Sequence, residues 1–449
     1  LLFILLMSCC LGSFAQIGSS TQSQVPFDGQ NQTWQNGSDR RDSAVLQTKY
    51  VTGSIMVDAN ATYSFANPID HTVVGSTALA RDNEMEVSCA AIGGDFSFKG
   101  ARGRIMTQFG TRSTVVPRND LSPYRGQYDL ANVYRYISEA YGGYHFNCMH
   151  GINIDAGMFM SYVGLNSYYQ VENWEYQASY TSDNTPWFFN GMRIQIFPSS
   201  KLKIEGWLIN GWQSYGTFND MPGFGGNVTW CPNENVKLLT NDYYGSDAAG
   251  LVGRHRFHSD NSLLVRYFNH PKANGISQMA YSLTGDIGFE KGDGVNAFTS
   301  DSLLGPAQNF RSGMFYNRIW FHQNKFAWTI GGGIMGNPGR YLVLAPTGDA
   351  SPFPNPYNPT QTVGTHPFTE NPGDQFTGYD YSTNFDWMPN QSVTFRLEYV
   401  HRHSSVPYFA GPGGVTSPTG YTTTPLPAGW APDLVTSEDR LILAILFRI

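Results

Sequence analysis

The chain has 449 residues, of which 14% are charged and 14% aromatic, with 48 glycines and a formal net charge of −7. Soluble domains carry roughly 25% charged residues, so this chain is poor in charge, yet a mean hydropathy of −0.31 excludes a bundle of apolar membrane helices. The acidic balance argues against nucleic acid as a partner.

The first segment, "LLFILLMSCCLGSFAQ", is an uncharged apolar run ending in small residues, with Ser13-Phe14-Ala15 as a cleavage site before Gln16. These are the core features of a secretory signal peptide, expected over 1–15. The run has no starting Met and no basic leader, so the chain is read as beginning inside that signal. A lipoprotein signal through Leu6-Met7-Ser8-Cys9 fits less well, because Met is bulky for its position. Residues 16–45, rich in Gln, Ser and Asn, read as a polar linker, and 46–449 as one domain. Beyond residue 15 no apolar run reaches the ~18 residues that a membrane helix requires. A membrane crossing by this chain has to use strands. Outside the signal, Cys89, Cys148 and Cys231 are too widely spaced for a disulfide framework or a metal motif and read as small buried residues.

From there the chain alternates. "EMEVSCA", "RGRIMTQFGTR", "GINIDAGMFMSY", "QMAYSLTGDIGFE" and "SVTFRLEYV" place apolar and polar side chains on opposite faces of strands. The spacing predicts strands at about 48–64, 84–97, 102–116, 141–149, 152–163, 187–197, 201–212, 223–231, 235–244, 259–269, 276–289, 310–322, 325–336, 374–388, 391–403 and 438–449. Short turns ("FKGAR", "MHGIN", "PSSK", "CPNEN", "NHPKANG", "HQNK", "MPNQ") alternate strictly with long segments. That rhythm belongs to an all-β, antiparallel up-and-down transmembrane barrel of about sixteen strands, with tight periplasmic turns and long outer loops. Greek-key sandwiches have no reason to keep it. Trp230, Trp320, Phe321, Trp387, Phe326 and Trp328 flank the short turns, as expected of an interfacial aromatic girdle. The last strand, "EDRLILAILFRI", resembles the closing strand of Gram-negative outer-membrane proteins, with Phe447 two residues before Ile449.

The segments "YRYISEAYGGYHF", "SDNTPWFFNGMRIQIFP", "INGWQSYG", "GGGIMGNPGRYLVL" and "FRLEYVHRHSSVPYFAGPGGVT" are similar to those of the OmpL-like β-barrel porins of Gram-negative outer membranes, particularly from Bacteroidota. The resemblance runs from about residue 46 to the end. It implies an outer-membrane location and a passive pore, and it transfers no catalytic residues.

About sixteen strands enclose a lumen too wide for side chains to fill. By parity the expected pore-lining residues are Arg104, Arg112, Arg193, Lys203, Glu205, Arg266, Asp286, Arg318, Asp380, Arg396, Glu398 and Arg402. With Glu84, Glu86, Asp155 and Asp386, which share the lumen by the same parity, the two signs roughly balance, so strand residues leave ion selectivity open. Two long loops are candidates for a constriction. In 117–140, Asp129 can cap a short helix with Leu130, Tyr134, Ile137 and Tyr141 on one stripe and Gly142 as its stop, offering Arg125 and Arg135 to the pore. In 337–373 the "SPFPNPYNPTQ" tract cannot make strands.

Catalytic readings carry little. His401 and His403 share a strand face beside Ser404 and Ser405, but no nucleophile motif and no third metal ligand accompanies them. "IGGGIMGNPG" lacks the Lys-Ser/Thr of a phosphate loop, and its glycines are taken to allow barrel curvature. The expected function is therefore a water-filled channel for passive diffusion of small hydrophilic solutes or ions, with no catalytic residues, cofactor or metal. Its partners are outer-membrane lipid and those solutes, with a homo-oligomer allowed. A plugged barrel acting as a surface-binding or structural protein is the alternative, and an outer-membrane hydrolase the weakest reading.

Overall fold

The computed structural model describes residues 27–449 except 28, 118, 119, 121, 123, 124, 218, 249, 301–304, 340–374 and 422–425. The expected signal peptide and most of the 337–373 loop lie outside the described residues. The strands are β1 (Val51–Ser64), β2 (Glu84–Phe98), β3 (Ala101–Thr107), β4 (Ile137–Phe146), β5 (Ile152–Met160), β6 (Phe188–Ser199), β7 (Leu202–Ile209), β8 (Gly223–Asn233) and β9 (Val236–Gly245). They continue with β10 (His255–Asn269), β11 (Ile276–Lys291), β12 (Asn309–Phe321), β13 (Phe326–Asn337), β14 (Phe376–Asn390), β15 (Val393–Ser404), β16 (Phe409–Ala410), β17 (Leu434–Val435) and β18 (Ser437–Arg448).

All but β16 and β17 close into a 16-strand antiparallel barrel in chain order, sealed where β1 pairs with β18. Closure leaves no unpaired edge. The faces follow the period-two pattern. On β15 Leu397 is 49% exposed and its neighbours Arg396 and Glu398 are 2% and 0% exposed. Phe385, Leu443, Ile445 and Trp387 continue the exposed apolar face on β14 and β18. This molecule is apolar outside and polar within, the inverse of a soluble domain.

Local chemistry sets the boundaries. β4 and β5 are separate strands, divided at "MHGIN", where Gly151 takes φ 118°, a conformation that favours glycine. β3 stops at Thr107, short of the expected 116. The chain then turns into a short helix, α1 (Arg112–Val115). The next helix, α2 (Leu130–Tyr134), has the Asp129 side chain accepting from the Asn132 N–H as its cap. It is shorter than the apolar stripe suggested, because Ile137 already enters β4. Tyr141 and Gly142 therefore pair with β3 and do not belong to the helix. Trp230, Trp328 and Trp387 stay on the outer face beside the short turns, but Trp320 is 7% exposed and points inward.

Candidate functional site

The barrel interior is crossed by residues 161–187, the long connection between β5 and β6. This stretch carries a 3₁₀ turn (Gln170–Glu172) and a short helix, α3 (Tyr180–Asp183), and it is buried almost throughout. Its only charged residues are Glu172, Glu175 and Asp183, and the barrel wall supplies the matching cations. Arg402 pairs with Asp183 at 2.6 Å, and Arg448 pairs with Glu172.

Irregular backbone in a buried place needs partners for its own polar groups, and the inward faces of six strands provide them. The Trp174 carbonyl accepts from Arg318 (3.0 Å), Thr329 (3.3 Å) and Asn384 (2.6 Å). The Asn173 carbonyl accepts from Arg396 at 2.8 Å. Glu398 accepts the Tyr176 and Gln177 N–H groups at 2.6 and 2.8 Å. Asp380 accepts from Ser179 Oγ at 2.8 Å and from the Tyr180 N–H at 2.9 Å. The Tyr176 hydroxyl donates to Asp58 on β1 at 2.8 Å, and Arg440 on β18 donates to Gln177 at 3.0 Å. Glycine makes the room: a Cβ on Gly333 of β13 would lie 2.3 Å from Ser179 Oγ. Part of the glycine tract expected to bend the barrel thus admits the crossing segment.

Two other stretches fill the ends. On the outer side, residues 71–82 tuck in, with Val74 O accepting from Arg440 at 2.6 Å and Thr77 Oγ1 donating to Asp183 at 2.6 Å. The β16–β17 pair packs over them through Val406, Tyr408 and Phe409. On the short-turn side, residues 29–42, expected to be part of a polar linker, run into the mouth. Trp34 is 3% exposed, clusters with Trp174 and Trp320, and donates to Glu234 O at 2.9 Å. This packing is why Trp320 turns inward, edge-on to Trp174 at 5.5 Å.

A cavity of about 320 Å³ remains between the crossing segment and the β7–β9 wall. Its lining includes Lys203, Glu205, Asn227, Thr229 and Lys237 from the strands and Gly164–Tyr168 from the segment.

The sequence-derived candidates divide accordingly. Lys203 and Glu205 line the cavity and pair with each other at 2.8 Å. Arg318 and Arg396 share Asp386, and with Asp380, Glu398 and Arg402 they face inward but are taken up by the crossing segment and its counter-charges. Arg104 pairs with Glu139 and Asp95, both at 2.6 Å, and Arg193 with Asp155 at 3.0 Å. Arg266 pairs with Glu234 at 3.2 Å near the short-turn rim, and Asp286 meets His258 at 2.6 Å. Arg112 belongs to α1 and not to a strand; its guanidinium lies 4.1 Å from the Tyr168 ring centroid.

The residues expected at a constriction sit in and around α2. Arg125 has a half-exposed side chain bonded to Asp220 at 3.0 Å, Asp129 caps α2, and Arg135 lies beside the Tyr136 ring. The lumen also holds 161–187, bonded to its wall. Its sequence, "SYVGLNSYYQVENWEYQASYTSDNTPW", is rich in aromatics and amides and has no Lys or Arg. For a surface loop that is unusual, and it is the signal that a buried role leaves. Lys237, absent from the expected set, shares the inward parity of Asn241 and Tyr243 on β9.

Among groups outside the strands, burial pushes the Glu175 carboxyl above its ordinary range, against hydrogen bonds from Asn166 and Asn36. His401 and His403 lie on the outer face, bonded to Asp439 and Ser437, both at 2.8 Å. Among the described residues no cluster of His, Cys, Asp or Glu could hold a metal ion.

The outer-membrane channel DcaP of Acinetobacter baumannii is similar over 89% of this chain and 97% of its own, at 9% identity and a TM-score of 0.50. Outer-membrane expressed OmpT of Vibrio cholerae matches at 8% identity and a TM-score of 0.49, over 90% and 99% of the two chains. An anion-selective porin from Comamonas acidovorans matches at 10% identity and a TM-score of 0.48, over 89% and 99%. At such identities the DcaP likeness speaks for the fold alone. No curated protein matches the chain. Residues 50–424, however, match the family described as "Putative beta-barrel porin-2, OmpL-like". The chain belongs to that family and is an outer-membrane β-barrel porin, a channel and not an enzyme.

Proposed function

We propose that the channel passes small hydrophilic solutes by diffusion, along the β7–β9 side of the segment that crosses the lumen. The carrying observation is the cavity there, whose wall sets Lys203, Glu205, Asn227 and Thr229 among aromatic and apolar residues such as Tyr162 and Leu239. In this reading Lys203 and Glu205 act as pore-lining residues. Arg318, Asp380, Arg396, Glu398 and Arg402 hold the constriction in place, and Arg104, Arg112, Arg193, Arg266 and Asp286 brace the wall around it.

A second reading, a plugged barrel, is favoured by the number of bonds that hold 161–187 across the lumen. Single-channel recording in planar bilayers separates the two: a diffusion channel gives discrete conductance steps, whereas a folded barrel without steps is plugged.

The same proposal includes self-association. Thr240 and Asn261 are hydrogen-bonded to each other on the outer face, well inside β9 and β10. Polar groups at that depth are better matched by a second copy than by acyl chains. Chemical cross-linking in native membranes tests this, and a strictly monomeric pattern removes it.

A further inference from the structure

Charge is handled economically inside this barrel. Among the described residues, Arg104, Arg193, Arg318, Arg396, Arg402 and Arg440 each have a carboxylate within 3.0 Å. Lys237 departs from this pattern, as does Arg112, whose guanidinium is covered by the Tyr168 and Trp187 rings. Lys237 lies on β9 in the wall of the cavity, and among the described residues no carboxylate is within salt-bridge distance of it.

The second lysine of the cavity, Lys203, is neutralised by Glu205 at 2.8 Å. Among the described residues, the three charged side chains of the lining, Lys203, Glu205 and Lys237, therefore sum to one positive charge, with no further carboxylate in the lining. The polar neighbours cannot serve as anions: Thr229 donates to Asn227 at 3.1 Å, and Asn227 donates in turn to Asn241. A confined ammonium that lacks a fixed partner attracts a mobile one, and fixed charge in a narrow pore biases which ions enter. Away from bulk water that bias is screened less than at a surface.

We propose that Lys237 forms an anion subsite in the channel, taking the carboxylate or phosphate group of a passing solute and making the pore anion-selective. Lys203, paired with Glu205, lines the same cavity without adding net charge. The inference rests on the diffusion-channel reading above and deepens it.

The test is the reversal potential of the full-length protein in planar bilayers under a KCl gradient. The wild-type channel is expected to favour chloride. Lys237→Gln shifts the potential toward zero, Lys237→Glu shifts it past zero to the cation side, and Lys237→Arg retains the wild-type sign. Lys99→Gln, on an exposed turn, leaves it in place. Inorganic phosphate added to the wild-type channel lowers the chloride current, a measurement that needs no variant to fold. A cation-selective wild type, an unshifted Lys237→Gln channel, or currents indifferent to phosphate each overturn the subsite while leaving the channel intact. Absence of any conductance step from the wild type overturns the channel reading itself, and is distinguishable from all of these.

Discussion

Replacing Asp386 by alanine removes the one anion that Arg318 and Arg396 share. Asp386 is 0% exposed, and the three bonds it accepts measure 2.7, 2.7 and 2.8 Å. The two guanidiniums keep their bonds to the Trp174 and Asn173 carbonyls, so neither is stripped of every partner. Both nevertheless stay buried with no carboxylate left at salt-bridge distance among the described residues. Breaking a buried pair from one side costs about 3–5 kcal/mol, mostly as the penalty of the orphaned charge. Asp386→Ala is expected to fall in that range in urea unfolding from lipid vesicles. The double variant Asp386→Ala/Arg396→Met removes one of the two orphans and is expected to recover part of the loss. A cost below about 1 kcal/mol, the range of solvated ion pairs, would mean that water screens these charges. Residues 161–187 would then not be packed against this wall, and the constriction described above would be wrong.

Leu397→Arg, which sets a guanidinium against acyl chains from the middle of β15, should cost roughly 2–4 kcal/mol in the same assay; a neutral result would place that face against protein. Trp34→Ala, which opens a void where the entering segment meets Trp174 and Trp320, should cost about 3–5 kcal/mol and raise single-channel conductance by loosening the short-turn mouth. Unchanged stability and conductance would show that the segment does not occupy that mouth in the membrane. Burial pushes the Asp120 carboxyl from 3.8 up to about 6, against bonds from Ser122, Tyr215 and Ser214. A raised carboxyl pKa means that the folded state binds the proton more tightly, so its contribution is most favourable at acid pH and declines as pH rises through about 6. Hydrogen exchange at the Tyr215 amide, corrected for intrinsic rate, should therefore be slower at about pH 5 than at about pH 7.5; the opposite order refutes the assignment.

Strands were readable because each has two chemically unlike faces, and a period of two survives without knowledge of neighbours. "SVTFRLEYV" declared both its lipid side and its inner side. The turn at "MHGIN" is expected partly because an even strand count requires it, and the structure turns there with Gly151 at φ 118°. What the inner side meets was not readable. Arg396 and Glu398 suit a watery wall as well as a polar segment, since both satisfy charge. The difference lies in contacts such as Asn173 to Arg396, which are 223 positions apart. Residues 117–140 looked like the constriction because a cap and an apolar stripe are local signals. Residues 161–187 carry a compositional signal, many aromatics and no Lys or Arg, but no local signal for their conformation, which is imposed by partners on other strands. Trp320 was misplaced for the same reason: beside a turn an indole suits the interface, and only Trp34 and Trp174 reveal why it turns inward.

Those long separations also order events in time. Arg318 meets Trp174 across 144 positions, and Arg448 meets Glu172 across 276. Contacts of such span are slow to form, because loop closure must precede them. The segment that crosses the lumen is synthesised before most of the strands that hold it, and its final anchor arrives with the strand that seals the barrel. Narrowing is consequently a late step of assembly, reached only after the wall is complete.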